Sequence, residues 1–403
     1  MAGRGQAGGV GSGPPGPVTI AHLTTTDISL RFLLLAQLRA LRDGGADVVG
    51  ISAPGPWVAE LEREGIRHVP LGSSTRAMDP LADLRAAREL WHIVGRERPT
   101  VLHVHNPKPG VYGRVVGRLA RVPIVVHTLH GLYATETDPW FKRAVVYGLE
   151  AIAARCSDAE LVQNPEDLAL LRRRHLSPRA RLLGNGVDLE RFTPRDAEAR
   201  RSARAALGIA DDDTVVVGSV GRLVAEKGFP ELFEAMTRLD PARYGLVVVG
   251  GADPSKADAL DPAVVARAEA AGVRLLGHRD DVEELYAAMD VFVLASHREG
   301  YPRAAMEAAA SGLPLVVTDI RGCRQVVDEG RNGLLVPVRD PAALAAAIAG
   351  LGDDPDRRAA MGRASRALAC ERFDEGAVVS IVVDTYREVA AAKGITLPFT
   401  GPA

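Results

Sequence analysis

Two glutamates eight residues apart, Glu299 and Glu307, flank a Gly-Tyr-Pro turn in the stretch SHREGYPRAAMEAAA (296–310). A pair of carboxylates first suggests acid–base work on one bond, as in glycoside hydrolysis. The surroundings point elsewhere. The apolar run VFVLAS (291–296) precedes the turn and a small-residue helical pattern follows it, so the turn joins a strand to a helix. Pro302 suits the first helical position, where its missing N–H costs nothing. The free N–H groups of a helix start attract phosphate, and Gly300 lets backbone approach a ligand closely. Glu307 then lies about five residues inside the helix, roughly 8 Å along its axis. The carboxylates straddle an anion site. They suit hydrogen bonds to hydroxyls at opposite ends of a sugar–diphosphate–ribose ligand better than joint attack on one bond.

Two cations stand at a second strand end. In SVGRLVAEKGF (219–229) a β-branched run stops, Gly221 follows, and Arg222 and Lys227 precede Gly228 and a helical pattern. An arginine fork and a lysine point charge five residues apart suit a diphosphate. A third strand end, PIVVHTLHGLY (123–133), closes on His130 before Gly131; His127, three residues earlier, points to the opposite strand face and reads as packing. His103 and His105 share a strand face and have the ligand chemistry for a metal, but no third ligand at suitable spacing is visible. The NPKPG loop after them, with Asn106 and Lys108, is expected to help line an acceptor pocket.

Elements that could position these groups repeat along the chain. Strands are predicted at 18–23, 46–52, 100–105, 123–130, 159–164 and 180–185. A second set follows at 214–220, 244–251, 273–278, 291–296, 314–319 and 333–338, then a helical stretch over about 355–393. Continuous apolar strands alternating with amphipathic helices imply parallel sheets covered on both faces. The expected fold class is α/β with two Rossmann-like domains, and ligands in such sheets sit beyond the carboxyl ends of the strands, here in a cleft between the domains.

The combination SHREGYPRAAMEAAASGLPLVVTDIRGCRQVV…NGLLVP, GRLVAEKGF and NGVDLERF, in that spatially scattered but ordered set, resembles glycosyltransferase family 4, whose Glu-x7-Glu signature falls on Glu299 and Glu307. The resemblance runs from about residue 18 to 390. It implies a GT-B fold: a disordered tail (1–17), an acceptor domain (18–195), a nucleotide-sugar domain (196–375), and a last helix and tail (376–403) returning to the first domain. It further implies that Arg222 and Lys227 stabilise the departing diphosphate, that Glu307 binds the ribose, and that Glu299 contacts the transferred sugar. Gly221 and backbone groups around Gly300, Tyr301, Arg303 and Ala304 would hold the donor, His278 and Arg279 in GHRDD (277–281) would lie at the base, and His130 would face the donor sugar. The resemblance implies transfer with retention by same-face attack.

The sequence departs from many relatives after the first strand. A glycine-free TTTDIS (24–29) stands where they carry Gly-Gly, so hydroxyls of Thr24, Thr25 and Thr26 are the candidates for the acceptor side. The Asp-x-Asp match that metal-dependent transferases use falls at DPD (354–356), a late polar turn, so no metal site is expected and the fixed cations take the ion's place. The resemblance implies UDP-N-acetylhexosamine as the leading donor, with a hexose as the other option, and as acceptor a hydroxyl on a lipid-linked, polysaccharide or small molecule. A dehydrogenase would need GxGxxG after a strand, whereas GGVGSGPPG precedes the first one. A non-hydrolysing UDP-N-acetylglucosamine epimerase and an inactive binding scaffold are the nearer rivals.

Bulk properties fit this. The 403 residues carry a net charge of −2, split between a basic stretch 1–195 (25 Lys/Arg against 19 Asp/Glu) and an acidic remainder (24 against 32). Three scattered cysteines form no disulfide scaffold and suit a reducing cytoplasm. The segment 1–17 lacks the apolar core of a signal peptide, and no apolar run has membrane-spanning length. Arg114, Arg118 and Arg121 at helical spacing are expected to form a basic face toward an anionic membrane. No nucleic-acid partner is expected.

Overall fold

A computed structural model describes residues 18–399 apart from 78, 106, 135–137, 210–212, 254, 255 and 257. The tail 1–17 and Asn106 therefore lie outside the described residues.

The first sheet contains β1 (Thr19–Thr26), β2 (Asp47–Ala53), β3 (Arg67–Pro70), β4 (Val101–His105), β5 (Ile124–Leu129), β6 (Ala159–Val162) and β7 (Ala180–Leu182), in the order β3-β2-β1-β4-β5-β6-β7. The second contains β8 (Val215–Val220), β9 (Tyr244–Val249), β10 (Arg274–Leu275), β11 (Val291–Leu294), β12 (Leu315–Thr318) and β13 (Gly333–Val336), in the order β10-β9-β8-β11-β12-β13. The pairings β1–β2, β1–β4, β4–β5, β8–β9, β8–β11 and β11–β12 are all parallel. Both sheets reverse direction of growth between their first and fourth strands. That crevice is where doubly wound sheets bind ligands. The six strands expected in the first half become seven, because RHVP is too short and too exposed at Arg67 and Pro70 to show a strand pattern.

Strand interiors are buried and mostly apolar, as parallel sheets demand, with His22, His103, His105, His127 and Glu160 among the buried polar exceptions in the first sheet. Helix starts are set by a repeated local device. Asp79-Pro80, Asn164-Pro165, Asp261-Pro262, Asp340-Pro341 and Asp354-Pro355 each cap a helix, the side chain accepting a backbone N–H and proline taking the first turn. Asp354 of the Asp-x-Asp match thus accepts from Arg357 N at 2.9 Å and begins the helix Pro355–Arg372.

The chain divides into two compact units. One holds the described residues up to Thr128, with Pro139–Glu160 and Val382–Ala403; the other holds Leu129–Asp138 and Leu161–Ile381. In the second unit the helix Arg303–Ala310 buries Ala305, Met306, Ala308, Ala309 and Ala310 completely. Small side chains let it lie close to its neighbour, the helix Pro355–Arg372, and leave Glu307 as the polar group on its remaining side.

Candidate active site

The lysine turn is built by a close backbone contact. After β8, residues Ala225–Lys227 make one 3-10 turn that ends on Gly228 at φ 71°. A Cβ on Gly228 would stand 1.9 Å from the carbonyl oxygen of Ala295, just beyond β11. Glycine is required there on both counts. The contact brings the lysine turn against the strand end that leads to the first glutamate, and His297 N donates to Glu226 O at 2.8 Å across the same seam. Lys227 Nζ lies 2.6 Å from Glu299 Oε1, which also accepts from Ser296 Oγ at 2.8 Å. Two residues 72 apart in sequence form one ion pair, so any anion that reached Lys227 would have to share it with Glu299.

A second backbone contact carries His130 to the same turn. A Cβ on Gly300 would meet His130 O at 2.1 Å, and Gly131, at φ 132°, stands against Gly300 Cα. The His130–Gly131 backbone therefore rests directly on the Glu299–Gly300 turn. His130 Nδ1 is 3.1 Å from Gln163 Oε1, which orients the half-buried ring.

Several groups that the sequence did not single out fix this arrangement. Asn164 Nδ2 donates to Gly300 O at 3.0 Å while its Oδ1 accepts from Glu166 N, so one cap residue also pins the glutamate turn. Arg321 pairs with the fully buried Asp167 and donates to Leu132 O at 3.2 Å; Asp167 in turn accepts from Leu132 N at 3.0 Å. Burial pushes the Asp167 carboxyl up, and Arg321 only partly offsets it. Arg298 donates to Tyr133 O at 3.1 Å and its guanidinium lies over the Tyr133 ring. The helix-cap signal of Asn164-Pro165 was visible in the sequence; no local spacing marks Asp167, Arg298 or Arg321 as its partners.

Glu307 occupies a separate corner. Its carboxylate accepts from Arg303 Nε at 3.1 Å and from Tyr286 Oη at 3.2 Å, and Arg303 also reaches Glu375 at 3.2 Å. Burial raises the Glu307 carboxyl above its ordinary range despite the opposing pull of Arg303. The helix begins at Arg303, one residue later than expected. Pro302 sits at the cap with extended backbone and no side-chain hydrogen bond, so no side chain caps the first helical N–H groups. Tyr301 turns its ring against Phe373, and burial raises its hydroxyl to about 12. Ala304 O accepts from Tyr286 Oη at 3.2 Å.

The remaining candidates are more exposed. Arg222 is paired with Asp253 at 2.6 Å beside Gly221, whose N–H donates to Val249 O. His278 lies 3.4 Å from Asp280, and Arg279 grips Asp281. That loop is joined to the end of β9 by Gly250 N, which donates to Gly277 O at 2.8 Å. Arg191, from the NGVDLERF segment, donates to Asp280 O at 2.6 Å and to Glu283 at 2.6 Å.

In the first unit, Thr25 O accepts from Ser74 Oγ at 3.0 Å, Thr26 Oγ1 accepts from Arg76, and Lys108 Nζ reaches Thr75 O at 2.9 Å and Asp83 at 2.6 Å. The loop 74–77 thus gathers three of the acceptor-side candidates, Thr25, Thr26 and Lys108. Thr24 is buried and donates to Thr26 O, so its hydroxyl serves the turn.

Two expectations for this unit change. Arg114 does not belong to a basic surface. It is completely buried, held at 2.8 Å by Glu150 and 2.9 Å by Glu160, with His127 2.7 Å from Glu160. A buried guanidinium needs such partners, and the periodicity that puts Arg114 one turn from Arg118 cannot show which face is buried. The third histidine absent from the spacing of His103 and His105 is supplied by the neighbouring strand: His22 Nδ1 lies 3.1 Å from His105 Nε2. Both His103 nitrogens are already engaged, by Tyr386 Oη at 2.6 Å and Thr128 Oγ1 at 2.7 Å.

The turns bearing Lys227 and Glu299 follow β8 and β11, at the crevice where a doubly wound sheet binds ligands, and comparison with known proteins gives the class. The pattern described as Glycosyltransferase Family 4 matches residues 33–191, and that of Glycosyl transferases group 1 matches 214–354. The chain is 35% identical over 321 residues to a D-inositol 3-phosphate glycosyltransferase of Geodermatophilus obscurus, covering 74% of this chain and 70% of that protein. It is 27% identical to the capsular polysaccharide biosynthesis glycosyltransferase CapM of Staphylococcus aureus, over 88% of this chain and 93% of CapM. With the UDP-Gal:alpha-D-GlcNAc-diphosphoundecaprenol alpha-1,3-galactosyltransferase of Escherichia coli it shares 28% over 74% and 78% of the two chains. Anabaena HepE, solved with UDP and glucose, superposes with a TM-score of 0.76 at 21% identity, over 91% of this chain and 99% of HepE. The chain belongs to glycosyltransferase family 4. It is a glycosyltransferase with the two-domain, Rossmann-like α/β GT-B fold.

Proposed function

We propose that the protein moves a sugar from a UDP-sugar to a hydroxyl of a lipid-linked or polysaccharide acceptor, with retention of configuration and without a divalent metal, at the cytoplasmic face of a membrane. N-acetylhexosamine is the sugar favoured. The observation that carries the reading is the Lys227–Glu299 pair set on the turn where Gly300 meets His130. In this reading Lys227, Arg222 and the uncapped N–H groups after Pro302 take up the charge of the leaving diphosphate, a form of electrostatic preorganisation. Glu307 accepts from the ribose hydroxyls, Glu299 from the transferred sugar, and His130 contacts that sugar from its own turn. His278, Arg279 and Gly221 line the nucleotide end. Thr25, Thr26, Asn106 and Lys108 are proposed for the acceptor.

The relatives named above support a UDP donor, since the E. coli enzyme's name specifies UDP-Gal and a diphosphoundecaprenol acceptor and HepE is solved with UDP. Asp354 supports metal independence, because the Asp-x-Asp match is used as a helix cap.

Titration with UDP-, GDP- and ADP-sugars, read by melting temperature, tests the donor. UDP release with and without acceptor, in the presence of EDTA, tests transfer and metal. A proton NMR spectrum of the product's anomeric signal tests retention. Interconversion of UDP-sugars without acceptor would establish the epimerase instead, and no release would establish a scaffold.

A further inference from the structure

The helix Trp140–Ala154 is built inside out. Its solvent-facing positions are Trp140, Phe141, Ala144, Val145, Gly148, Leu149 and Ile152, and not one is polar. The large ones range from 46% exposed at Leu149 to 78% at Trp140. Of the polar residues, Glu150 is buried against Arg114 and Tyr147 is buried as well, while Lys142 and Arg143 are half-buried at the sides. A surface helix ordinarily shows the reverse pattern. The adjacent helix Pro107–Leu119 adds Leu119, 64% exposed, to the same surface. Together these side chains present roughly 600 Å² of apolar surface, at or above the largest patch of a typical monomer.

Apart from the buried Glu150, the charge on these two helices is of one sign. The two helices follow the parallel strands β4 and β5, so they run in the same direction and end together. Exposed Arg118, Arg121 and Arg155 collect at that shared carboxyl end. The one carboxylate in either helix is Glu150, which faces inward. We propose that this face is a docking surface for a bilayer rich in anionic headgroups, with the Trp140–Ile152 stripe in the headgroup–acyl boundary and the three arginines on the phosphates. A helix of this pattern lies in the interface plane and does not cross it, and no described helix is long and apolar enough to span a membrane. A second copy of the chain fits the patch less well. In a two-fold contact the arginine clusters would meet helices whose one carboxylate, Glu150, is buried.

The proposal draws its purpose from the lipid-linked acceptor proposed above but rests on different residues. It is tested on the full-length protein with vesicles containing no acceptor. Vesicles of phosphatidylcholine with 30–40% phosphatidylglycerol (roughly the anionic fraction that gives strong attraction) should sediment the protein, and plain phosphatidylcholine should not. Trp140→Ser with Ile152→Ser should weaken partitioning at least about tenfold, and Arg118→Glu with Arg155→Glu should remove its salt dependence. Unchanged melting temperatures would show that these solvent-facing changes leave the fold intact. Failure of the wild type to bind anionic vesicles, or equal binding by the variants, overturns the proposal. So does a wild-type dimer, seen by analytical ultracentrifugation, that the Trp140/Ile152 variant dissolves. UDP release with a detergent-soluble acceptor separates the two readings: its loss in the wild type would sink the transfer reading while leaving vesicle binding to stand or fall alone.

Discussion

Replacing each glutamate of the Glu-x7-Glu pair by alanine should produce opposite binding signatures. Lys227 and Glu299 lie 2.6 Å apart and are mostly enclosed. At an effective dielectric of about 20 their attraction is about 6 kcal/mol before desolvation. Desolvation and residual exposure reduce the net to about 1 kcal/mol. A diphosphate that recruits Lys227 must give up that amount, roughly fivefold in Kd. Glu299→Ala releases the lysine, so UDP affinity should hold or tighten up to about fivefold. Turnover should nonetheless fall by roughly a hundredfold or more, because the sugar loses its acceptor group. Glu307 is different: its carboxylate is positioned by Tyr286 and by Arg303, whose guanidinium is also held by Glu375. Removing a charged hydrogen bond to the ribose costs about 1.5–3 kcal/mol, or roughly 10- to 150-fold in UDP Kd. Isothermal titration with UDP and a UDP-release assay measure both quantities. Equal loss of UDP binding in the two variants, or weaker UDP binding in Glu299→Ala, would refute the division of roles.

Other predictions follow from single contacts. Because burial raises the Glu307 carboxyl, and only its ionised form accepts from two hydroxyls, UDP affinity should fall on acidification from a higher pH than an ordinary glutamate would give; Glu307→Gln should bind weakly with a flat profile, and an equally pH-sensitive variant would count against the assignment. Gly228→Ala places a methyl 1.9 Å from Ala295 O at a positive φ, so it should cost roughly 2–4 kcal/mol in urea unfolding and impair turnover. Asn164→Ala loses the bond to Gly300 O as well as a helix cap; turnover should drop with Glu307-dependent UDP affinity nearly intact. His22 is fully buried, and burial lowers its pKa from 6.5 to about 3. The unfolded chain then binds the extra proton between those values, so stability should fall as pH drops below 6.5, by up to about 1.4 kcal/mol per unit until about pH 3. His22→Gln should flatten that part of the curve in urea titrations across pH.

Much of this was readable from local pattern alone. Every strand except β3, the Asp-Pro helix starts and the two strand-end turns are set by short-range chemistry: periodicity, caps and glycines. The turn that carries Glu299 and Gly300 and the helix that carries Glu307 were legible because a strand-to-helix turn constrains its own few residues. The partners were not. That Lys227 meets Glu299, that His130 O rests on Gly300, and that Asp167 and Arg321 clamp the loop between them depends on which strands become neighbours across dozens of residues. Helical spacing also cannot tell which side of a helix is covered. It placed Arg114 with Arg118 on a surface, whereas packing buried Arg114 among Glu150 and Glu160 and turned the apolar side of the next helix outward. The sequence by itself determined the elements and the types of group at their ends; the tertiary structure alone decided which of those groups face each other, because burial and ion pairing are satisfied between distant segments and not along the chain.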